Sequence, residues 1–147
     1  MLNDWLNADH IQLCDRVADW QEAVTLSAEP LLQREAITAD YLTAIFRQHQ
    51  ALGPYFVLAP GIAMPHARPE EGAKALGLSL LKVNQGVPFH SEDNDPVFVV
   101  VMLSAPDGSS HIELISQLAE LFSDSEAMEK LFQAQTKRQI EDVIANY

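Results

Sequence analysis

The pattern of apolar and polar positions predicts two helices in the first third of the chain. Asp19 is a suitable N-cap with Glu22 three residues later, and the residues that follow place apolar side chains at helical spacing. Pro30 is expected to bend this helix or restrict its final turns, because proline lacks a backbone donor. A second helix is predicted from Thr38 through Gln50, and Gly53-Pro54 ends it.

Continuous apolar runs predict buried strands in the middle of the chain. Tyr55 to Leu58, Leu76 to Val83 and Val97 to Leu103 each have the length and apolar content of a strand covered on both faces. His10 to Cys14 alternates weakly, which indicates a short edge strand. The polar connection before the last run predicts at most one further short strand, at Val87 to Phe89.

The last third of the chain predicts three more helices. The first begins at Ser110, which has capping-box spacing to Glu113. The others are expected near 126–135 and 137–146. Helices on both sides of several buried strands predict an α/β fold, and we expect a single layered domain over residues 1–147.

Composition narrows the classes of partner. The 21 acidic and nine basic residues give a net charge of −12, which disfavours nucleic acid and anionic membrane and favours a basic protein surface. The single cysteine, Cys14, excludes an internal disulfide. No apolar run approaches the roughly 18 residues of a membrane span, and the N-terminus lacks the pattern of a signal peptide. We therefore expect a cytoplasmic protein.

The stretch from Gly53 to Gly72 contains the strongest candidate for chemistry, His66. Pro60 and Gly61 break the preceding strand, and Pro65 fixes the backbone immediately before the histidine. A histidine held in this way presents one ring nitrogen reproducibly. Neutral imidazole can serve as nucleophile, general base or metal ligand, so the residues alone leave these roles open.

Three segments, GIAMPHARPEEG, DNDPVFVVVMLSA and SSHIELI, identify a resemblance to a known family. From about Trp20 to the C-terminus the chain resembles the IIA component (EIIA) of the phosphotransferase system, in its mannitol/fructose class. The segment GPYFVLAPGIAMPHARPEEGA, together with NDPV, is most similar in sequence to the L-ascorbate branch.

The resemblance implies a mixed sheet and a phosphohistidine relay without cofactor or metal. His66 matches the histidine that accepts phosphate from phospho-HPr on Nε2, and His111 matches a second histidine that stabilises the phosphoryl group in the same site. Phosphate would pass to the cysteine of an EIIB protein and then to a sugar entering through the EIIC membrane component. The exposed amides of a helix beginning at Ser110 would bind phosphoryl oxygens.

One departure from the family concerns a cation. Many homologues have an arginine shortly before the histidine motif, where this chain has GPYFVLAP. Arg68 is a candidate replacement that would contact phosphate. A solvated loop residue, or an ion-pair partner of Glu70 or Glu71, is the other interpretation.

Other constellations carry weaker hypotheses. A metal site could combine His66, His90 and His111 with Asp93 or Asp95, but these ligands are scattered and lack a metal-binding spacing. Asp95, before Pro96, is expected to fix the start of the next strand, with an active-site contact as the alternative.

The remaining candidates are expected to be structural. His10 and His49 are interpreted as surface or half-buried residues, and Cys14 as a small core residue. The alternative to a transport relay is a regulatory module, whose phosphohistidine would report phosphorylation state to a protein partner.

Overall fold

The computed structural model describes residues 1–147 and is built on a five-stranded sheet. The strands are β1 (Ile11–Cys14), β2 (Val57–Ala59), β3 (Ile62–Ala63), β4 (Gly77–Val87) and β5 (Val97–Ser104). The helices are α1 (Trp20–Gln33), α2 (Ala39–Leu52), α3 (Ile112–Ser123), α4 (Ser125–Gln133) and α5 (Lys137–Ile144). None of these helices combines the length and the apolarity that crossing a membrane requires.

The sheet is mixed, as predicted, and its strand order is β1-β4-β5-β3-β2. β4 and β5 are antiparallel, whereas β1 runs parallel to β4 and β3 runs parallel to β5. The short edge strand predicted near the N-terminus is confirmed as β1. β5 is the central strand. Because β3 and β5 are parallel neighbours, the segments that follow these two strands leave the sheet at the same edge.

Helices cover both faces of this sheet, which confirms the predicted α/β class. Side chains alternate along β5: Val99, Val101 and Leu103 join the core beneath α3, α4 and α5, whereas Val100 and Met102 join the core beneath α1 and α2. Each core contains 19 buried apolar residues, so both faces of the central strand are fully covered.

Two predicted strands differ from those observed. The run from Tyr55 to Leu58 is expected to be one strand, but β2 begins at Val57, and a turn containing Gly61 at φ 82° leads into β3. Val87 is not the start of a separate strand. A register shift between Lys82 and Val87 lets β4 continue to that residue.

Pro30 does not end α1, which continues to Gln33. A proline at this position leaves the carbonyl of Leu26, four residues earlier, without its helical donor. Nε2 of Gln12, on β1, donates to that carbonyl at 2.8 Å. The edge strand therefore supplies the hydrogen bond that the proline removes.

This replacement predicts non-additive stabilities for Gln12→Ala and Pro30→Ala. Gln12→Ala should cost about 1 kcal/mol of unfolding free energy, because the Leu26 carbonyl loses its donor. In the Pro30→Ala background the cost should approach zero, since the introduced alanine supplies a backbone donor. Chemical denaturation of the four proteins measures this coupling. An equal cost of Gln12→Ala in both backgrounds would contradict the assignment.

Candidate functional site

His66 lies three residues beyond β3, and its own backbone fixes its ring. Nδ1 is 2.8 Å from the carbonyl oxygen of Met64. A carbonyl only accepts, so Nδ1 carries the proton in this hydrogen bond. In the neutral ring Nε2 therefore holds the free electron pair.

Tyr55 contacts both the backbone and the ring of the same histidine. Its hydroxyl donates to the His66 carbonyl at 2.7 Å and also lies 3.0 Å from Oε1 of Gln48. The Tyr55 and His66 rings meet edge to face, with centroids 5.7 Å apart. Backbone and ring of His66 are thus held by separate contacts.

A buried hydroxyl joins this segment to the end of β5. Tyr41, on α2, is 1% exposed. Its hydroxyl donates to the carbonyl of Leu103 at 2.7 Å and accepts from the amide of Ala67 at 3.0 Å. The amide of Leu103 also donates to the carbonyl of Pro65 at 3.2 Å. These bonds hold the His66 segment against the strand that leads to His111.

Glu71 anchors the loop on the far side of His66. One carboxylate oxygen pairs with Arg47 at 2.9 Å, and the other accepts from Nε2 of Gln48 at 2.6 Å and from the Arg68 amide at 3.0 Å. The Arg68 amide, together with the Gln48 and Arg47 contacts, lowers the pKa of Glu71. Arg68 itself is exposed, as expected of a solvated loop residue, and the ion pair with Glu70 or Glu71 is not formed.

The structure brings His66 and His111 to one cavity of about 250 Å³, which Tyr41, Met64 and Asp107 also line. This follows from the topology, because β3 and β5 are parallel neighbours and each histidine follows its strand at the same edge. His111 is the N-cap of α3, and its Nδ1 is buried without a hydrogen-bond partner.

The predicted helix start at Ser110 is wrong. α3 begins at Ile112, and the turn before it is held by Asp107, whose carboxylate accepts from the amides of Ser109 at 2.9 Å and Ser110 at 2.6 Å. These bonds, that of Ser110 first, lower the pKa of Asp107 to about 2. The Ser110 amide, expected to face phosphate, is thus occupied by a carboxylate of the same loop.

Asp95 lies in a different loop from the two histidines. Its two carboxylate oxygens accept from the amides of Phe89 at 2.8 Å and Ser91 at 3.0 Å, so it shapes the turn before β5, as its first interpretation predicts. His90 is exposed in this turn. No group of three or more histidine, cysteine, aspartate or glutamate residues is arranged to hold a metal ion.

The prediction that His49 lies at the surface or is half-buried is wrong. The residue is 5% exposed and stacks on Trp20 with ring centroids 3.8 Å apart. Burial lowers its pKa, although Nε2 lies 3.1 Å from the carbonyl of Phe89. His49 is a core residue of the α1–α2 layer. Cys14 is half-buried, and burial raises the pKa of its thiol.

Sequence reasoning missed the residues that position the site. Tyr41, Tyr55, Gln48 and Glu71 act through contacts between segments distant in sequence, for which the sequence offers no local signal. Asp107 does have one, because an aspartate followed by Gly-Ser-Ser is typical of a turn in which the carboxylate accepts from later amides.

The comparison to known families agrees with this fold. The family model described as phosphoenolpyruvate-dependent sugar phosphotransferase system, EIIA 2, matches residues 4–147. The chain therefore belongs to this family of phosphotransferase components, as its sequence motifs predict.

Two relatives that share about 40% of their residues with this chain are named for different substrates. The chain is 41% identical over 144 residues to the mannitol-specific cryptic phosphotransferase enzyme IIA component of Escherichia coli K12, covering 98% of this chain and 97% of the relative. It is 38% identical to the ascorbate-specific EIIA component of the same strain, covering 91% and 88%.

Solved structures agree with the fold. The solution structure of the mannitol-specific cryptic enzyme IIA CmtB from Escherichia coli superposes with a TM-score of 0.92 at 40% identity, covering 99% of both chains. The mannitol enzyme IIA in a complex with phosphorylated enzyme IIB, also from Escherichia coli, gives a TM-score of 0.82 over 96% of this chain and 97% of that one. Its 22% identity supports the fold alone.

The tyrosines predict an alkaline transition. Burial raises the pKa of Tyr41 and of Tyr55 from 10.0 to about 12, and the bond to Asp124 does the same for Tyr147. A pKa raised by folding means that the folded state holds the proton more tightly. The associated stability is therefore complete below pH 10 and is lost as the pH rises through 12.

Tyrosinate absorbance measured against pH checks this expectation. The folded protein should show little ionisation near pH 10. The same protein in denaturant should titrate there, with the ordinary pKa of tyrosine. Ionisation of the folded protein near pH 10 would contradict the effect of burial assigned to Tyr41 and Tyr55.

Proposed function

We propose that this chain is a phosphocarrier that accepts a phosphoryl group from phospho-HPr on Nε2 of His66 and passes it to the cysteine of a cognate EIIB. The observation that carries the proposal is the hydrogen bond from Nδ1 of His66 to the Met64 carbonyl. It leaves Nε2 as the nucleophilic nitrogen in a ring that lines a cavity with a second histidine.

The transfer requires no metal and no net proton movement. The Nε2 electron pair of His66 forms a bond to phosphorus as the P–N bond of the donor phosphohistidine breaks, and the electron pair of that bond stays on the donor nitrogen. The phosphorylated His66 ring becomes cationic while Nδ1 keeps its proton, and the Met64 carbonyl stabilises this charge. Catalysis then depends on positioning and on donors to the phosphoryl oxygens.

His111 would supply one of these donors. Its buried Nδ1 has no hydrogen-bond partner, and a buried N–H without a partner is costly. We therefore assign the proton of neutral His111 to Nε2. The two histidines would have complementary tautomers, one presenting an electron pair and the other an N–H.

Arg68 and Ser110 have weaker support as phosphate contacts. The Arg68 side chain is exposed and makes no ion pair, which leaves it available to an incoming phosphoryl group. The Ser110 amide is occupied by Asp107, so phosphate contact through that amide would require the carboxylate to leave.

On this proposal the component acts in the cytoplasm, between phospho-HPr and a sugar-specific EIIB, with EIIC acting indirectly. A net charge of −12 suits basic docking surfaces on these partners. The sugar we propose is L-ascorbate or a related compound, supported by the ascorbate-specific relatives and by the wording around His66.

His66→Ala should abolish phosphorylation because it removes the acceptor nitrogen. The measurement incubates the protein with phosphoenolpyruvate, enzyme I and HPr and maps an acid-labile phosphate by mass spectrometry. His90→Ala is the matched control, because His90 is an exposed histidine in a loop that does not line the cavity. Phosphate retained at a histidine in His66→Ala would refute the assignment of the site.

Addition of candidate EIIB proteins then separates transport from regulation. Transfer to an EIIB cysteine supports the relay. A stable phosphohistidine that no EIIB discharges would instead favour the regulatory module, which reports phosphorylation state to another partner.

His111→Ala should accept phosphate about 10- to 100-fold more slowly, because one hydrogen bond to the charged phosphoryl oxygens is lost. His111→Gln keeps an N–H donor and should recover part of the rate. Single-turnover transfer from phospho-HPr measures both variants. Equal rates for wild type and His111→Ala would remove His111 from the mechanism.

A further inference from the structure

A carboxylate shares the cavity of the two histidines. Asp107 lines the same space of about 250 Å³ as His66 and His111. Besides the two amides described above, it accepts from the Ser109 hydroxyl at 3.3 Å. These donors lower its pKa to about 2, and the group is charged at neutral pH, as an exposed aspartate ordinarily is.

The position of this charge is unusual for a site that would receive a phosphate. Backbone amides at the N-terminus of a helix are donors that a phosphoryl group ordinarily uses, and Ser109 and Ser110 lie in the turn just before α3. Here the Ser109 and Ser110 amides already bind an anion that belongs to the chain. A phosphoryl group on His66 would therefore find these donors taken and a negative charge beside them.

Screening does not remove this repulsion at cellular salt. The Debye length is about 8 Å at physiological ionic strength, comparable with the width of a cavity of this volume. The carboxylate is exposed, so the effect should be modest. It acts mainly on the phosphorylated state, in which the dianionic phosphoryl group outweighs the cationic ring and leaves a net negative charge, whereas the neutral His66 ring is little affected by a nearby charge.

We propose that Asp107 is a positioning residue that sets the phosphoryl-transfer potential of His66: its carboxylate holds the Ser109 and Ser110 amides and raises the free energy of the phosphorylated form. This inference rests on the proposed function. It explains how a carrier can accept phosphate and yet release it readily, since a site that bound the phosphoryl group too well would retain it.

A purely structural role for Asp107 makes a different prediction. If the carboxylate only stabilises the turn before α3, its replacement should change stability without favouring phosphorylation. Asp107→Ser separates the two roles, because serine also accepts from amides in such turns but carries no charge. Serine is preferred to asparagine because an Asn-Gly sequence deamidates and regenerates a carboxylate.

The experiment measures the equilibrium between phospho-HPr and each protein, by intact mass at low and high salt. Glu29→Gln is the control, because it removes one exposed charge from α1, which does not line the cavity. Asp107→Ser should shift the equilibrium toward the phosphorylated form by about two- to five-fold relative to this control, and salt should reduce the shift. Thermal unfolding verifies that both variants are folded.

Each outcome has a distinct meaning. An equilibrium equal to that of Glu29→Gln, or shifted toward free protein, would overturn the role of Asp107 while leaving phosphorylation of His66 intact. A shift that salt does not reduce would refute its electrostatic origin. A wild-type protein that accepts no phosphate would overturn the proposed function and this inference together.

Discussion

The hydroxyl of Tyr41 connects the two backbone segments on which the site depends. One segment leads from β3 to His66, and the other leads from β5 toward His111. Tyr41 accepts from the amide of Ala67 and donates to the carbonyl of Leu103, so one buried hydroxyl satisfies a backbone group in each segment. A buried amide or carbonyl without a partner costs about 1–3 kcal/mol, which makes this junction a sensitive point of the fold.

Different residues around this junction determine three features of the candidate site: the free nitrogen of His66, the position of its backbone and the charge of the neighbouring loop. The Met64 carbonyl determines which nitrogen of His66 is free, and Tyr55 with Gln48 holds the backbone of that residue. His111 lies beyond β5, at the N-cap of α3. Asp107 holds the loop between β5 and α3 with a charge of the same sign as phosphate. The two histidines and Asp107 come from two loops, the one that follows β3 and the one that follows β5.

The sequence predicts the sheet, its helices and the family because these depend on local patterns. The apolar run of β5 and the motif around His66 are each contained in one short continuous stretch of the chain. Contacts such as that between Tyr41 and Leu103 span 62 positions and involve backbone atoms, which have no residue-type signature.

The same limit explains the individual errors in prediction. Ser110 has the spacing of a helix cap, but the Asp107 carboxylate accepts from the Ser109 and Ser110 amides in the preceding turn, and α3 begins at Ile112. His49 has a polar side chain, yet stacking on Trp20 buries it. In both cases a neighbour that the local pattern does not weigh decides the outcome.

The hydrogen bond of His66 to a carbonyl only two residues earlier has a consequence for how such proteins diversify. Nε2 of His66, the atom we propose as phosphate acceptor, is left free by a hydrogen bond within one tripeptide, without help from any other side chain. On that proposal, surface residues around the cavity can be exchanged to suit new docking proteins while the acceptor atom stays the same. A scaffold of this kind can acquire new partners by changes at its rim, because main-chain geometry alone determines which ring nitrogen is free.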